Sequence, residues 1–224
     1  MSDAPLTLAI ETSSRAYALC LGRGAEPLYD STIAFPGYRE RDLTPLLRTG
    51  LGKLGAEAAS IGKIAVNIGP GGLGSVRAGV AFANALGYAL RAPVAPLLSF
   101  ELLAAEVWRK TDRPVLCLRK AADGQAYGGL LRRGAPARLA FGPLARLVAA
   151  LTYDVGPVAL AGTNREQAAE LIAQSQDSGV EAPTAATVLT LAAGREGRSV
   201  AAEPVLPINE FAPEFPHLGR ESAA

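Results

Sequence analysis

The sequence predicts an α/β protein with mixed sheets flanked by helices, and three observations carry that expectation. Its 224 residues are 49% hydrophobic with 24 glycines and 16 prolines, enough apolar side chain for a substantial core and enough turn formers to punctuate many short elements. Its opening reads as three short strands separated by tight polar turns. Beyond them, apolar strand-length runs alternate with segments of helical period, the pattern of strands joined by helical crossovers.

Leu6-Thr7-Leu8-Ala9-Ile10 and Tyr17-Ala18-Leu19-Cys20-Leu21 are strand-like, joined by the polar turn Glu11-Thr12-Ser13-Ser14-Arg15. A third strand is expected from Pro27 to Ala34, after the turn at Gly22-Arg23-Gly24. A helix should begin near Asp42, a good N-cap, with Pro45 tolerated in its first turn. Its Leu43, Leu46, Leu47, Leu51 and Leu54 lie at helical spacing on one stripe. Gly50 and Gly52 weaken it by about 1 kcal/mol each relative to Ala, so it depends on packing. Ile61 to Ile68 reads as a buried parallel strand. The glycine turn Gly69 to Gly74 then leads into a helix expected to be capped by Ser75 and to run from Val76 to Leu90. Pro93 to Leu98 is a further strand and Phe100 to Lys110 a further helix. The order βββαβαβα is that of the first lobe of an actin/Hsp70/hexokinase-like (ribonuclease-H-like) two-lobed fold.

The second half carries less signal. Val115 to Leu118 and Gln125 to Leu131 read as paired strands around the hairpin turn Asp123-Gly124. A helix from Pro143 to Leu151, a strand from Val158 to Leu160 and a helix from Arg165 to Ala173 follow. Ser175 to Pro183 reads as a polar linker, and Ala185 to Gly194 as a last helix. The expected organisation is a lobe over residues 1–110, a smaller one over 111–206, and a Pro-rich tail over 207–224.

Composition narrows the chemistry. The charges are 22 basic against 21 acidic, divided 11 to 9 before residue 111 and 11 to 12 after it. Neither half has the basic footprint of a protein that grips nucleic acid alone. The single histidine, His217, sits in the Pro-rich tail, which excludes a His-rich metal site, a Ser-His-Asp triad and a Cys-His dyad. Cys20 and Cys117 lie in apolar strands and read as core filler in a reducing, cytoplasmic setting. The N-terminus shows no leader pattern. The run Ile64 to Leu90 contains only Arg77 as a charge, but Gly69-Pro70-Gly71-Gly72 interrupts it well short of the roughly 20 continuous apolar residues that span a bilayer.

Two constellations stand out. The turn Glu11-Thr12-Ser13 after the first strand could offer backbone N–H groups and hydroxyls to a phosphate, with the acid helping to hold a metal. It could equally be an ordinary hairpin whose hydroxyls satisfy their own backbone. The stretch from Gly69 through Gly79 places glycines before a helix N-terminus, which favours anions. It is neither a Walker loop nor a dinucleotide fingerprint, and a tight strand-to-helix corner explains it as well.

Read together, Ile10-Glu11-Thr12-Ser13, the stretch Gly69-Pro70-Gly71-Gly72-Leu73-Gly74-Ser75-Val76-Arg77-Ala78-Gly79 and Ala202-Glu203-Pro204-Val205 resemble the TsaB (YeaZ) family over nearly the whole chain. The resemblance implies a non-catalytic subunit in the modification that forms threonylcarbamoyl-adenosine at adenosine 37 of tRNA. It implies docking with a catalytic TsaD-type subunit and a TsaE-type ATPase, a homodimer when alone, and tRNA only through the complex. It further implies a docking surface on the helices near Asp42–Leu54 and Val76–Leu90, with Leu43, Leu47, Arg77, Val80, Ala83 and Gly87 as interface residues. Glu11, Thr12 and Ser13 would form a vestigial nucleotide loop. No cofactor is required by this chain, with room left for ATP or ADP at the interface with its partner.

The chain also departs from the family. Its first acid is Glu11 rather than Asp, and Gly72-Leu73-Gly74-Ser75 replaces Ser-Phe-Thr-Gly. Lys120-Ala121-Ala122 stands where Asp-Ala-Arg is usual, and Leu206-Pro207-Ile208 where Tyr-Leu-Arg is usual. A lysine in place of a carboxylate reverses the charge where a kinase of this fold would hold metal-bound phosphate. The alternative, an ATP-dependent kinase or carbamoyl-transfer enzyme of the same fold, would have to draw on Asp123 and Asp154. A catalytic relative with a His-x-x-x-His metal pair is excluded by the lone His217.

Overall fold

The computed structural model describes residues 5–14, 16–38, 40–209 and 212–218. Arg15 of the first turn, residues 1–4 of the N-terminus and parts of the tail lie outside the described residues. The chain forms two compact units, residues 1–102 with 183–207, and residues 103–182 with 208–224. This differs from a division at residue 110, because the late segment 183–207 returns to the first unit.

The first unit holds β1 (Leu6–Glu11), β2 (Ala18–Arg23), β3 (Glu26–Asp30), α1 (Ser31–Ala34), α2 (Thr44–Leu54), β4 (Ile61–Asn67), α3 (Leu73–Leu90), β5 (Val94–Leu97) and α7 (Ala185–Ala192). α4 (Ser99–Val107) spans the division between the units. The sheet order is β3-β2-β1-β4-β5. β1 runs antiparallel to β2 and parallel to β4, and β4 is parallel to β5. Side-chain alternation sorts residue size between the two faces. Leu8, Ile10, Leu19, Leu21, Ile64 and Val66 face one layer with Leu46 and Leu47 of α2 and Val76, Val80 and Ala83 of α3. Ala9, Ala18, Cys20 and Ala65 face the other layer, with Val188, Leu189 and Ala192 of α7. Small residues on that face let α7 lie close, and both faces being covered is why these strands are apolar throughout.

Several boundaries differ from the sequence expectation for local reasons. The third strand stops at Asp30, whose carboxylate accepts from the Thr32 N–H at 2.8 Å and the Thr32 hydroxyl at 2.6 Å, capping α1. Ser31 Oγ accepts the Leu19 N–H at 2.9 Å, which ties that short helix to β2. Asp42 Oδ1 accepts the Thr44 N–H at 2.8 Å at the start of α2. α3 starts at Leu73 behind Gly72, with no side-chain cap, so Ser75 is a buried residue of the first turn and not the cap. α7 ends under Lys63, whose ammonium donates to the carbonyls of Ala192 (2.6 Å) and Arg195, a cation at the negative end of the helix.

The second unit holds β6 (Val115–Lys120), β7 (Gln125–Leu131), β8 (Arg138–Pro143), α5 (Leu144–Thr152), β9 (Val158–Gly162), α6 (Arg165–Ala169) and β10 (Ser175–Asp177), in the sheet order β10-β9-β6-β7-β8. Asp123 and Gly124, both at positive φ (53° and 70°), close the β6–β7 hairpin, as a two-residue turn of this type requires. Leu147, Val148 and Leu151 of α5 enter a core with Leu116, Leu118, Leu130 and Leu160. Two strands escaped the sequence reading. β8 lies where a connection was expected, and β10 within the supposed linker, at three residues too short and polar to show a period. The tail is also not a loose appendage over residues 212–218. Phe215 is buried with its ring edge-on to Tyr127 at 5.3 Å, and the Phe141 N–H donates to Pro216 O at 3.0 Å. No helix among the described residues is long and apolar enough to cross a membrane.

Candidate functional site

β1, β4 and β5 are adjacent and parallel, so their carboxyl ends meet along one edge of the first sheet, where α/β proteins place their ligands. Glu11 ends β1, Asn67 ends β4, and Ser99 follows β5. All are buried, as are Thr12 and Ser13. Glu11 Oε1 accepts from the Ser13 N–H and the Ser13 hydroxyl, each at 2.6 Å, and Oε2 accepts from Asn67 Nδ2 at 2.5 Å. Asn67 Oδ1 in turn accepts from the Gly69 N–H and the Ser99 hydroxyl, each at 2.9 Å. The Ser99 N–H donates to Gly69 O at 2.7 Å. A carboxylate taken out of water is tolerated when such charge-assisted bonds replace its hydration. Here those bonds come from Ser13 and Asn67 of the same chain, so the Ser13 N–H and hydroxyl are directed at Glu11. Asn67 and Ser99 were missed as site residues. The available signal for Asn67 was a lone asparagine closing the apolar stretch Ile64-Ala65-Val66.

The glycine turn interlocks with that loop. The Gly69–Pro70 peptide is cis, and the Gly72 N–H donates to Ser13 O at 3.1 Å. A Cβ on Gly71 would fall 2.7 Å from both Cβ and O of Ser13. One on Gly79 would fall 2.2 Å from Oγ1 of Thr12, a hydroxyl that is itself buried without a hydrogen-bond partner. The two sequence constellations are thus two sides of one contact. Gly71 and Gly79 are glycines because the Thr12–Ser13 backbone and side chains occupy the space a methyl would need.

Of the residues expected at an interface, Arg77 alone is exposed. Leu43, Leu47, Val80 and Ala83 lie in the chain's own core, and a Cβ on Gly87 would sit 2.6 Å from Val94 Cγ2. Residues 78–90 carry no charge, yet α3 is not covered on every side. α3 leaves Ala78, Ala81, Ala85 and Tyr88 in solvent, because alanine loses little by exposure. The outward side of α3 also carries Arg77, Gly74, Ala89 and the half-exposed Leu73.

In the second unit, the Lys120 N–H donates to Thr163 Oγ1 at 2.8 Å and its side chain is exposed. The two acids that a kinase reading would use have other roles. Asp123 is the left-handed first residue of the hairpin turn, and Asp154 binds Arg138 in a two-pronged pair at 2.7 and 3.0 Å. That hydrogen-bonded guanidinium holds the Asp154 carboxyl below the usual carboxylate range. Among the described residues, no group of three or more His, Cys, Asp or Glu side chains could hold a metal ion.

Residues 38–193 match the family described as TsaD: tRNA N6-adenosine threonylcarbamoyltransferase. Two solved structures from Pseudomonas aeruginosa share the fold. One is described as an uncharacterized protein with similarity to peptidase YeaZ, with a TM-score of 0.74 and 24% identity over 92% of this chain and 99% of that one. The other is YeaZ, with a TM-score of 0.71 and 24% identity over 91% of this chain and 100% of that one. The paired five-stranded mixed sheets are the actin/Hsp70/hexokinase-like fold that the strand order predicts. The chain belongs to the TsaD (tRNA N6-adenosine threonylcarbamoyltransferase) family, and its fold is similar to that of the two YeaZ-related structures.

Proposed function

We propose that this chain is a non-catalytic subunit in the formation of N6-threonylcarbamoyladenosine on tRNA, acting by docking with a catalytic TsaD-type subunit. The observation that carries this reading is the closed network of Glu11, Ser13, Asn67 and Ser99, in which a buried carboxylate is held by the chain's own donors at 2.5–2.6 Å. A loop that catalyses phosphoryl transfer presents its donors to phosphate and its acid to a metal; this one presents them to itself. The employment of Asp123 in a turn and of Asp154 in an ion pair supports the same reading against a kinase.

The docking surface is the outward side of α2 and α3. The chain acts in the cytoplasm, pairs with itself when alone, and reaches the TsaE-type ATPase and tRNA through the complex. It needs no cofactor of its own, and ATP or ADP belongs to the interface shared with the partner.

Reconstitution with the host's catalytic subunit tests the proposal. Threonylcarbamoyl transfer to tRNA should require this chain, while the chain alone should turn over no ATP and bind tRNA weakly at physiological salt. ATP turnover by the purified chain that is lost in Asp123→Ala would refute it. So would full transferase activity without this chain.

A further inference from the structure

β8 is the last strand of the second sheet, and its outer edge is met by the chain's own tail. The Phe141 N–H donates to Pro216 O at 3.0 Å and the Leu218 N–H donates to Phe141 O at 2.8 Å, the bonds of an isolated parallel bridge between Phe141 and His217. Side chains alternate across a strand, and here the tail clasps the edge from both faces of the sheet. On one face Phe215 is 1% exposed, its ring edge-on to Tyr127 at 5.3 Å, and the His217 ring stands against Phe141 at 4.7 Å. On the other, Leu218 packs against the cluster of Leu116, Leu147 and Leu151. Gly142 makes the room. The three atoms nearest to a Cβ placed there all belong to Leu218, beginning with its O at 2.9 Å. Pro213, Glu214 and Pro216 are exposed, and the two prolines remove donors that a longer ladder would need. The Phe215 N–H donates to Ala212 O at 3.0 Å, a turn that shapes the segment ahead of its anchors.

One bridge with side-chain anchors is how a short peptide adds to a sheet edge: main-chain bonds give affinity, and pockets for alternate side chains give specificity. We infer that the edge of β8 is a binding site for an extended, phenylalanine-anchored peptide, that residues 212–218 are its resident and detachable ligand, and that the same residues of a second copy are the ligand that replaces them. Exchange of an identical segment re-forms every contact in trans, so a second copy needs no new complementarity. Tethering keeps the site closed in a single chain. A segment on a short linker is held near its site at an effective concentration on the order of millimolar, which a dilute competitor does not match. Every contact involved belongs to the second unit, so failure here leaves the docking surface on α2 and α3 untouched.

The probe is a dye-labelled peptide of residues 212–218, standing for the tail of a second copy, titrated into the full chain and followed by fluorescence anisotropy. In Phe215→Ala the chain's own tail loses its anchor, and with it about a hundredfold of its hold on the edge. This variant should bind the peptide at least about tenfold more tightly than the wild-type chain, whose edge is filled. A control peptide carrying Phe215→Ala should bind neither. Gly142→Val suits a strand but fills the space that Leu218 needs. It should lift the tail without admitting the peptide, so that hydrogen exchange rises at the Phe141 and Leu218 N–H groups while β6 and β7 stay protected. Trp108 lies in the same unit and reports whether that unit remains folded. Equal peptide binding by wild type and Phe215→Ala, or binding by neither, overturns the inference. If Phe215→Ala unfolds, exchange in Gly142→Val decides: a tail that lifts from an intact sheet supports the detachable ligand. A tail that stays protected, or a second unfolded variant, shows a permanent edge cover instead.

Discussion

Gly79 and Thr12 offer the sharpest test of how the candidate site is built. Replacing Gly79 with Ala would place a Cβ 2.2 Å from Thr12 Oγ1, 3.1 Å from Cγ2 and 3.2 Å from Cβ. Thr12 is fully buried and cannot swing away. Overpacking of this kind costs about 1–3 kcal/mol, against which the better helix propensity of Ala returns about 1 kcal/mol. Gly79→Ala should therefore destabilise, by up to about 2 kcal/mol, a drop of about 4–8 °C in Tm for a chain of this length. Thr12→Ala removes a buried hydroxyl that has no partner, a gain of about 1–3 kcal/mol, and deletes a methyl group, a loss of about 1 kcal/mol; it should be neutral or mildly stabilising. In the double variant the new methyl occupies the vacated space. The clash vanishes and the helix gain remains, so the pair should couple favourably by about 1–3 kcal/mol. Far-UV circular dichroism on heating carries the readout, because the one tryptophan, Trp108, belongs to the other compact unit. Additivity of the two single changes within about 0.5 kcal/mol would refute the interlock of loop and helix.

Ala83→Glu should prevent folding of the first unit and not merely break assembly, because Ala83 is fully buried and an unpaired buried carboxylate costs several kcal/mol; a soluble variant with a wild-type melting curve would contradict this. The Cys20 thiol is pushed up to about 12 by burial and, second, by Asp30, and burial raises Cys117 as well. Both should resist alkylation in the native protein at mildly alkaline pH and react on unfolding; rapid native labelling of either would place it wrongly. Asp154 is held below its ordinary range by Arg138. A depressed folded-state carboxylate contributes stability that is complete above the unfolded value and is lost as pH falls through the folded one. Asp154→Asn should thus lower Tm at neutral pH, and the gap should close as pH falls below the ordinary aspartate range. A gap that persists there would show that the carboxylate's charge is not what matters.

Much of the first unit was legible in the sequence because its signals are local. Ile64-Ala65-Val66 is an apolar stretch followed closely by Gly69-Pro70, and the leucines of α2 recur at helical spacing. Asp123-Gly124 adopts the positive φ angles that its residue types favour. The loop Glu11-Thr12-Ser13 could also be singled out, by an acid and hydroxyls at the end of a strand. What that loop does was not legible, since Asn67 and Ser99, which complete the network, lie 56 residues or more along the chain from Glu11, and nothing local ties them to it. β10 and the edge contacts of Phe215 were hidden for the same reason. They exist only because a neighbouring strand provides hydrogen bonds and an aromatic surface.

The sequence by itself determined the class of fold, the exclusion of histidine-based chemistry, and the two motifs that belong together. Composition and short-range spacing carry such information, and neither depends on what packs against what. Only the tertiary structure decided which way α3 faces. Gly79, Ala83 and Gly87, spaced as if for a partner helix, turn inward against Thr12, the core and Val94, while the alanines between them turn outward. A helix of small uncharged residues has a weak amphipathic signal, so its orientation is set by the shape of the sheet surface beneath it, and that shape is assembled from residues far apart in the chain.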